Sequence, residues 1–224
     1  MQAAGALLQY AQSTQKAALA HVRSLVVEQV DDLLALDSAT RRNLEITETL
    51  RGEPAPTLLS LLDGCATPAG SRLLRQWLGA PLRERETAKA RHAAIAELIA
   101  SPVPRHRLVA DLKRTIDVER VAARVALGNA RPRDLSGLRD TLRRLPSIRE
   151  WVASANATLL ARSAKALAVD PKWAVLLERA IAEEPASMLR DGNVIARGYD
   201  AELDELREIK DGCGAFLVEL EARE

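Results

Sequence analysis

Residues 199–224 read YDAELDELREIKDGCGAFLVELEARE, and the spacing within this stretch decides the fold class. Apolar side chains fall at Tyr199, Leu203, Leu206, Ile209, Cys213, Phe216 and Leu220. Steps of three or four residues are the period of one helix face. Asp200 is placed to cap the first amides, and Glu202, Asp204 and Glu205 suit the positive end of the helix dipole. The last turn carries Glu219, Glu221 and Glu224, the wrong sign for a helix C-terminus, with no capping Gly or Asn after them. The stretch is therefore expected to be the start of a longer arm, already about 39 Å long at about 1.5 Å per residue. Gly212 and Gly214 inside it form an expected soft point, because glycine costs about 1 kcal/mol relative to alanine in a helix interior.

Composition extends the helical reading to the rest of the chain. Aromatic residues are only 3% of the 224, so a core must be built mainly from Leu, Ala, Val and Ile, which favours helix on helix. The net charge of +1 gives no overall pull toward nucleic acid or an anionic membrane. Charge is nevertheless segregated. Val103–Arg149 holds 12 Lys/Arg against 5 Asp/Glu, whereas Glu183–Glu224 holds 5 against 12. The two regions are expected to complement each other or to face water, with a nucleic-acid face as the lesser reading. Nothing approaches the 18 or so uncharged apolar residues of a membrane span, the first residues show no basic stretch followed by an apolar run, and a reducing cytoplasmic setting is expected. Cys65 and Cys213 fit no ligand spacing and are expected to be small buried hydrophobes.

Along the chain, helix is expected over Ala3–Gln15. A short hairpin follows over His21–Leu36, then a turn capped by Asp37 or Ser38, and a third short strand at Leu44, Ile46 and Thr47. Thr57–Leu62 reads as a short helix. Thr67-Pro68 opens another, with Thr as N-cap and Pro at the first helical position. Further helices are expected over Glu86–Ala100, Arg105–Leu127 in two pieces, Arg131–Leu145 with Pro146 as its stop, Trp151–Ala168, and from Asp170-Pro171 to Glu183. Asp191-Gly192 suits a tight hairpin turn between Met188-Leu189 and Val194-Ile195. The expected fold is mainly α: a multi-helix body with a small antiparallel β element near the N-terminus and a long C-terminal arm.

Residues that carry chemistry are sparse. No phosphate loop, GxGxxG, GxSxG or HExxH occurs. His92 and His106 are expected to be solvated, and His21 has no partner at a metal-ligand spacing. Arg41, Arg42 and Asn43 could anchor a phosphate or another domain's carboxylate. The preferred reading is structural, with stems on the core and heads paired locally. Asp117 and Arg120 can pair at i,i+3. Arg120 and Arg124 would repel at i,i+4 without a carboxylate between them, for which Asp134 is a candidate. The preferred role is a polar network fixing helix register. Trp77, Trp151 and Trp173 are expected in the core. No catalytic, cofactor-binding or metal-ligating residue is assigned.

Four runs together resemble a family. They are LDSATRRNLEI over Leu36–Ile46; TPAGSRLL over Thr67–Leu74, including Arg72, with Trp77-Leu78 and Pro81-Leu82; DVER over Asp117–Arg120 with ARPRDL over Ala130–Leu135; and RDGNVIA over Arg190–Ala196 with Gly198-Tyr199 and ELDELR over Glu202–Arg207. In this order they resemble the MutS family of bacterial DNA mismatch-repair proteins. The resemblance implies the end of a connector domain over residues 1–20, the helical core or lever domain over 21–198, and the helix leading toward the DNA clamp over 199–224. It implies a parent that binds mismatched duplex DNA, uses ATP and Mg, is a homo-oligomer, and recruits a downstream repair protein near the nucleoid. The family's Phe-x-Glu mismatch probe and its ATPase phosphate loop have no matching positions here, so the chain itself is expected not to be an enzyme and to bind no cofactor. Three alternatives stay open: a free-standing helical interaction module pairing through the Tyr199–Glu224 stripe, weak autonomous duplex-DNA binding through residues 103–149, and a MutS-like paralogue outside repair.

Overall fold

A computed structural model describes residues 2–15, 22, 24 and 32–221, with the side chains of residues 2, 15, 211 and 213–221 left aside. The chain is mainly helical. Among the described residues the α-helices are α1 (Gln2–Gln15), α2 (Ser38–Asn43), α3 (Leu58–Leu62), α4 (Pro68–Gly79), α5 (Arg85–Ala100), α6 (Pro102–Leu112), α7 (Val118–Ala126), α8 (Pro132–Ala153), α9 (Thr158–Ala166), α10 (Lys172–Ala180) and α11 (Ala201–Glu221). They group into two units. Unit 1 comprises Met1–Ala96 and Ala122–Asn129; unit 2 comprises Glu97–Val121 and Ala130–Glu224.

In unit 1, short helices are held by caps. Asp37 Oδ1 accepts from the Thr40 amide at 2.6 Å to start α2. Thr67 caps α4 by accepting from Gly70 N at 3.1 Å, with Pro68 in the first turn. The expected third strand at Leu44–Thr47 is instead a turn, with Glu45 at φ 44°. Its carbonyls serve α3: Leu58 N donates to Glu45 O at 3.1 Å and Leu59 N to Ile46 O at 2.9 Å. Orphan amides at the helix start thus take the acceptors a sheet partner would have used. The hairpin expected over His21–Leu36 lies largely outside the described residues. At its described end Leu33 forms an isolated antiparallel bridge with Leu82. Among the described residues of this unit, Ile46, Leu59 and Ala94 are the buried apolar side chains.

Unit 2 is built around α8, which packs on α6, α9 and α10. Pro146 does not stop this helix; it lies inside it, and the helix expected over Arg131–Leu145 runs on through Ala153, so that only Thr158–Ala166 of the helix expected over Trp151–Ala168 stands apart, as α9. Proline removes the bond to the Leu142 carbonyl. Packing against three helices outweighs that loss. The same surround explains why the stripe of Leu135, Leu138, Leu142 and Leu145 is only half-buried, while Arg139, Thr141, Ile148 and Val152 are buried. A helix covered on several sides has no single apolar face.

Three further expectations are corrected. Asp191-Gly192 does not make a tight hairpin: Leu189–Asp191 is a 3₁₀ turn ending at Gly192 with φ 73°, and the antiparallel bridge joins Ile181 to Ile195 across a longer loop. Cys65 is exposed; the Cys213 side chain lies outside the described residues. The tryptophans are not core. Trp77 and Trp173 are exposed and Trp151 is half-buried, each beneath a cation: Arg91 lies 3.6 Å from the Trp77 ring centre, Arg107 5.1 Å from Trp151, and Lys172 5.4 Å from Trp173. With so few aromatics, small aliphatics fill the interior, and each indole lies under an alkyl-ammonium or guanidinium group. No helix among the described residues is long and apolar enough to cross a membrane.

Candidate functional site

The most connected polar structure in unit 2 starts at Arg139. Its side chain is 2% exposed. Its guanidinium donates to Ala182 O and Glu183 O, each at 2.9 Å, to Ile181 O at 3.4 Å, and to Asp140 Oδ1 at 2.9 Å. The planar fork suits adjacent carbonyls at a helix end, where backbone acceptors lack partners. Arg143, one turn on, donates to Glu178 at 2.7 Å and Glu183 at 3.2 Å. α8 therefore grips the segment that leaves α10.

The gripped segment is paired onward. Ala182 N donates to Val194 O and Ala196 N to Ala180 O, both at 2.9 Å. Arg207 of α11 then donates to Ile195 O at 2.8 Å and to Asp204 Oδ1 at 2.8 Å. Asp204 also accepts from Gly198 N, and Asp200 Oδ1 caps the helix by accepting from Leu203 N at 2.9 Å. The Gly198 amide, first, and the Arg207 guanidinium hold the Asp204 carboxyl below the usual aspartate range. A continuous series of bonds thus runs from α8 through residues 180–183 and 194–198 to the base of α11.

Two more contacts fix the frame. Thr141 Oγ1 donates to Gly137 O at 2.8 Å and accepts from Ile116 N at 3.1 Å. Glu97 caps α9 from a distance of some sixty residues, accepting from Asn156 N and Ala157 N at 2.7 Å each. Those amides hold the Glu97 carboxyl below the ordinary glutamate range, Asn156 first. A depressed pKa contributes stability that is fully present above the unfolded value, about 4.3, and lost as pH falls through the folded one. Glu97→Gln is expected to lower Tm by a constant amount above about pH 6 and by a shrinking amount toward pH 3. Melting curves across that range check it; a pH-independent difference would contradict it.

The sequence-singled residues are dispersed over these units rather than gathered. Arg41 donates to Leu36 O at 3.3 Å and Arg42 to Leu50 O at 3.4 Å, and both are exposed, with Asn43 exposed beside them. Thr67 and Pro68 cap α4, and Arg72 is half-buried within it. Asp117 and Arg120 pair at 3.5 Å. Asp134 accepts from Arg131 N at 2.9 Å, at the start of α8. Arg124 lies in the last turn of α7. Asp191 pairs with Arg190 at 3.7 Å, Gly192 supplies its turn, and Tyr199 is exposed. α11 runs through Gly212 and Gly214 without interruption. Glu97, Arg139, Arg143 and Arg207 were not singled out. Only Arg139 carries a signal: it lies four residues from Leu135 and three from Leu142, a charge on an apolar face.

A mainly helical body with polar bonds tying α8 to the root of a long C-terminal helix defines a class of helical structural domain. Within that class the assignment is specific: residues 39–222 match the model of MutS domain III. The chain belongs to the MutS domain III family, a domain of mismatch-repair proteins.

Proposed function

We propose that this chain is the core, or lever, domain of a mismatch-recognition ATPase and that its work is mechanical rather than enzymatic. In this reading residues 21–198 form the body, and residues 199–224 lead toward a DNA clamp. The remaining domains of the protein bind mismatched duplex, ATP and Mg, assemble as a homo-oligomer and recruit a downstream repair protein in the cytoplasm. The observation that carries the reading is the brace from Arg139 to Arg207: a rotation of α11 must either move residues 194–198 and α8 with it or break those bonds. Coupling needs stiff elements with two arrangements, and a bonded root makes the arm stiff where load enters.

The test uses the intact multidomain protein with Arg207→Ala. Basal ATP hydrolysis and duplex affinity are expected to persist, while stimulation of nucleotide exchange by a mismatch falls severalfold. Undiminished stimulation would refute the lever role of this brace.

A further inference from the structure

We propose that unit 2 carries a phosphodiester-binding face on α6 and the turn of α8 beside it, fitted to the backbone of duplex DNA. The choice of duplex among polyanions rests on the mismatch-repair setting argued above; the face itself rests on the following geometry. α6 and α8 run antiparallel: Arg107 lies over Trp151, Ser147 donates to Asp111 at 3.3 Å, and Thr141 receives the Ile116 amide. His106, Arg107, Lys113 and Arg114 are all exposed. His106 and Arg107 lie on α6, and Lys113 and Arg114 in the turn after Leu112, whose amides still bond back to Val109 O and Asp111 O, so the four positions keep near-helical spacing. Arg107, Lys113 and Arg114 have no carboxylate partner among the described residues. The indole under Arg107 orients its guanidinium without neutralising it.

Arg144 adds to the charge. It falls midway between Thr141 and Ser147, on the side of α8 that meets α6. Its Nε is buried with no hydrogen-bond partner among the described residues, so Arg144 lies behind the strip and adds charge to it, not a phosphate contact of its own. Of the carboxylates close to these positions in the chain, Asp111 is half-buried and engaged by Ser147, Asp117 is paired with Arg120, Asp140 is bonded to Arg139 and Arg143, and Glu150 is exposed. Three exposed cations without a carboxylate partner among the described residues, Arg107, Lys113 and Arg114, leave a positive strip. From Arg107 to Arg114 it extends about 10 Å at about 1.5 Å per residue. That is about three base steps along one strand, enough for more than one phosphate. Exposed helix sides with no groove-reading aromatic or amide side chains contact phosphates, not base edges, so binding is expected to ignore sequence.

Fluorescence anisotropy of the full chain with a labelled homoduplex of about 30 bp, titrated from low to physiological salt, tests the face. Each phosphate contact contributes about 0.9 to the log–log salt slope, so a slope near −3 is expected. R107Q/K113Q/R114Q should weaken low-salt binding about tenfold or more and flatten the slope by about two to three. R162Q/K165Q, on exposed positions of α9, should change neither. Three results would overturn the proposal: no salt-dependent binding by the wild type, a triple variant that binds like it, or poly-glutamate bound in preference to duplex, which would mark a docking face for an acidic protein. No nucleotide or mismatch enters this readout, so its failure leaves the lever reading intact and failure at Arg207 leaves this face intact.

Discussion

Arg139→Ala is expected to cost unit 2 about 3–5 kcal/mol of unfolding free energy, the range for breaking a buried charged network by removing one partner. The physical reason is asymmetric. The arginine loses nothing by being absent, but the carbonyls of Ile181, Ala182 and Glu183 lose their donor, and a buried acceptor left bare retains its desolvation cost. Arg139→Lys is expected to recover little, because one ammonium cannot reproduce a fork that spans two successive carbonyls. Arg143→Ala is the comparison. Its side chain is 38% exposed and its partners remain hydrated, so about 1 kcal/mol or less is expected. Urea unfolding of the three variants checks the order. Equal losses at Arg139 and Arg143 would mean that burial does not set the cost.

Gly137→Val is the second large effect expected. A Cβ built on Gly137 lies 2.8 Å from Ile116 Cγ2 and 3.3 Å from Cδ1. Ile116 is β-branched and cannot swing its Cγ2 away without leaving its rotamer. The clash therefore falls on the packing between α8 and the segment after α6, and overpacking of this kind costs typically about 1–3 kcal/mol. Removing the obstacle should restore part of it: Gly137→Val in an Ile116→Ala background is expected to cost at least about 1 kcal/mol less than in the wild type. Additive losses in that double-mutant cycle would show that the glycine serves backbone freedom and not close approach.

Helices whose caps are local were legible in the sequence, and contacts between distant segments were not. Asp37, Thr67 and Asp200 announce α2, α4 and α11 because the cap and the amides it satisfies lie within three residues. α9 carries no such announcement. Ala157 at its start has no side-chain oxygen, and its cap is Glu97. Pro146 was misleading for the same reason: its local meaning is a stop, and only the helices on three sides of α8 reverse it. Leu44–Thr47 had strand-like residues, but their carbonyls were claimed by α3. The family motifs located the domain and cover the α11 half of the brace, Val194–Ala196, Gly198, Asp204 and Arg207, but its α8 half fell outside them. Arg139 and Arg143 bind main chain and carboxylates some forty residues away, a distance at which periodicity carries no information.

The division of unit 2 into Glu97–Val121 and Ala130–Glu224 bears on how the polypeptide reaches its native state. Its first piece supplies the α9 cap, the Asp111 and Ile116 contacts and the whole of α6, but every partner of those groups emerges from the ribosome later. Pairings of such sequence separation must overcome loop-closure entropy before they gain anything, and nucleation there is slow. During synthesis α6 must wait with its α8-facing side uncovered until α8 has been translated. A nascent chain of this protein is thus most exposed to proteases and to misassociation in the interval between the appearance of Leu112 and that of Ala166, and co-translational chaperone demand should peak there.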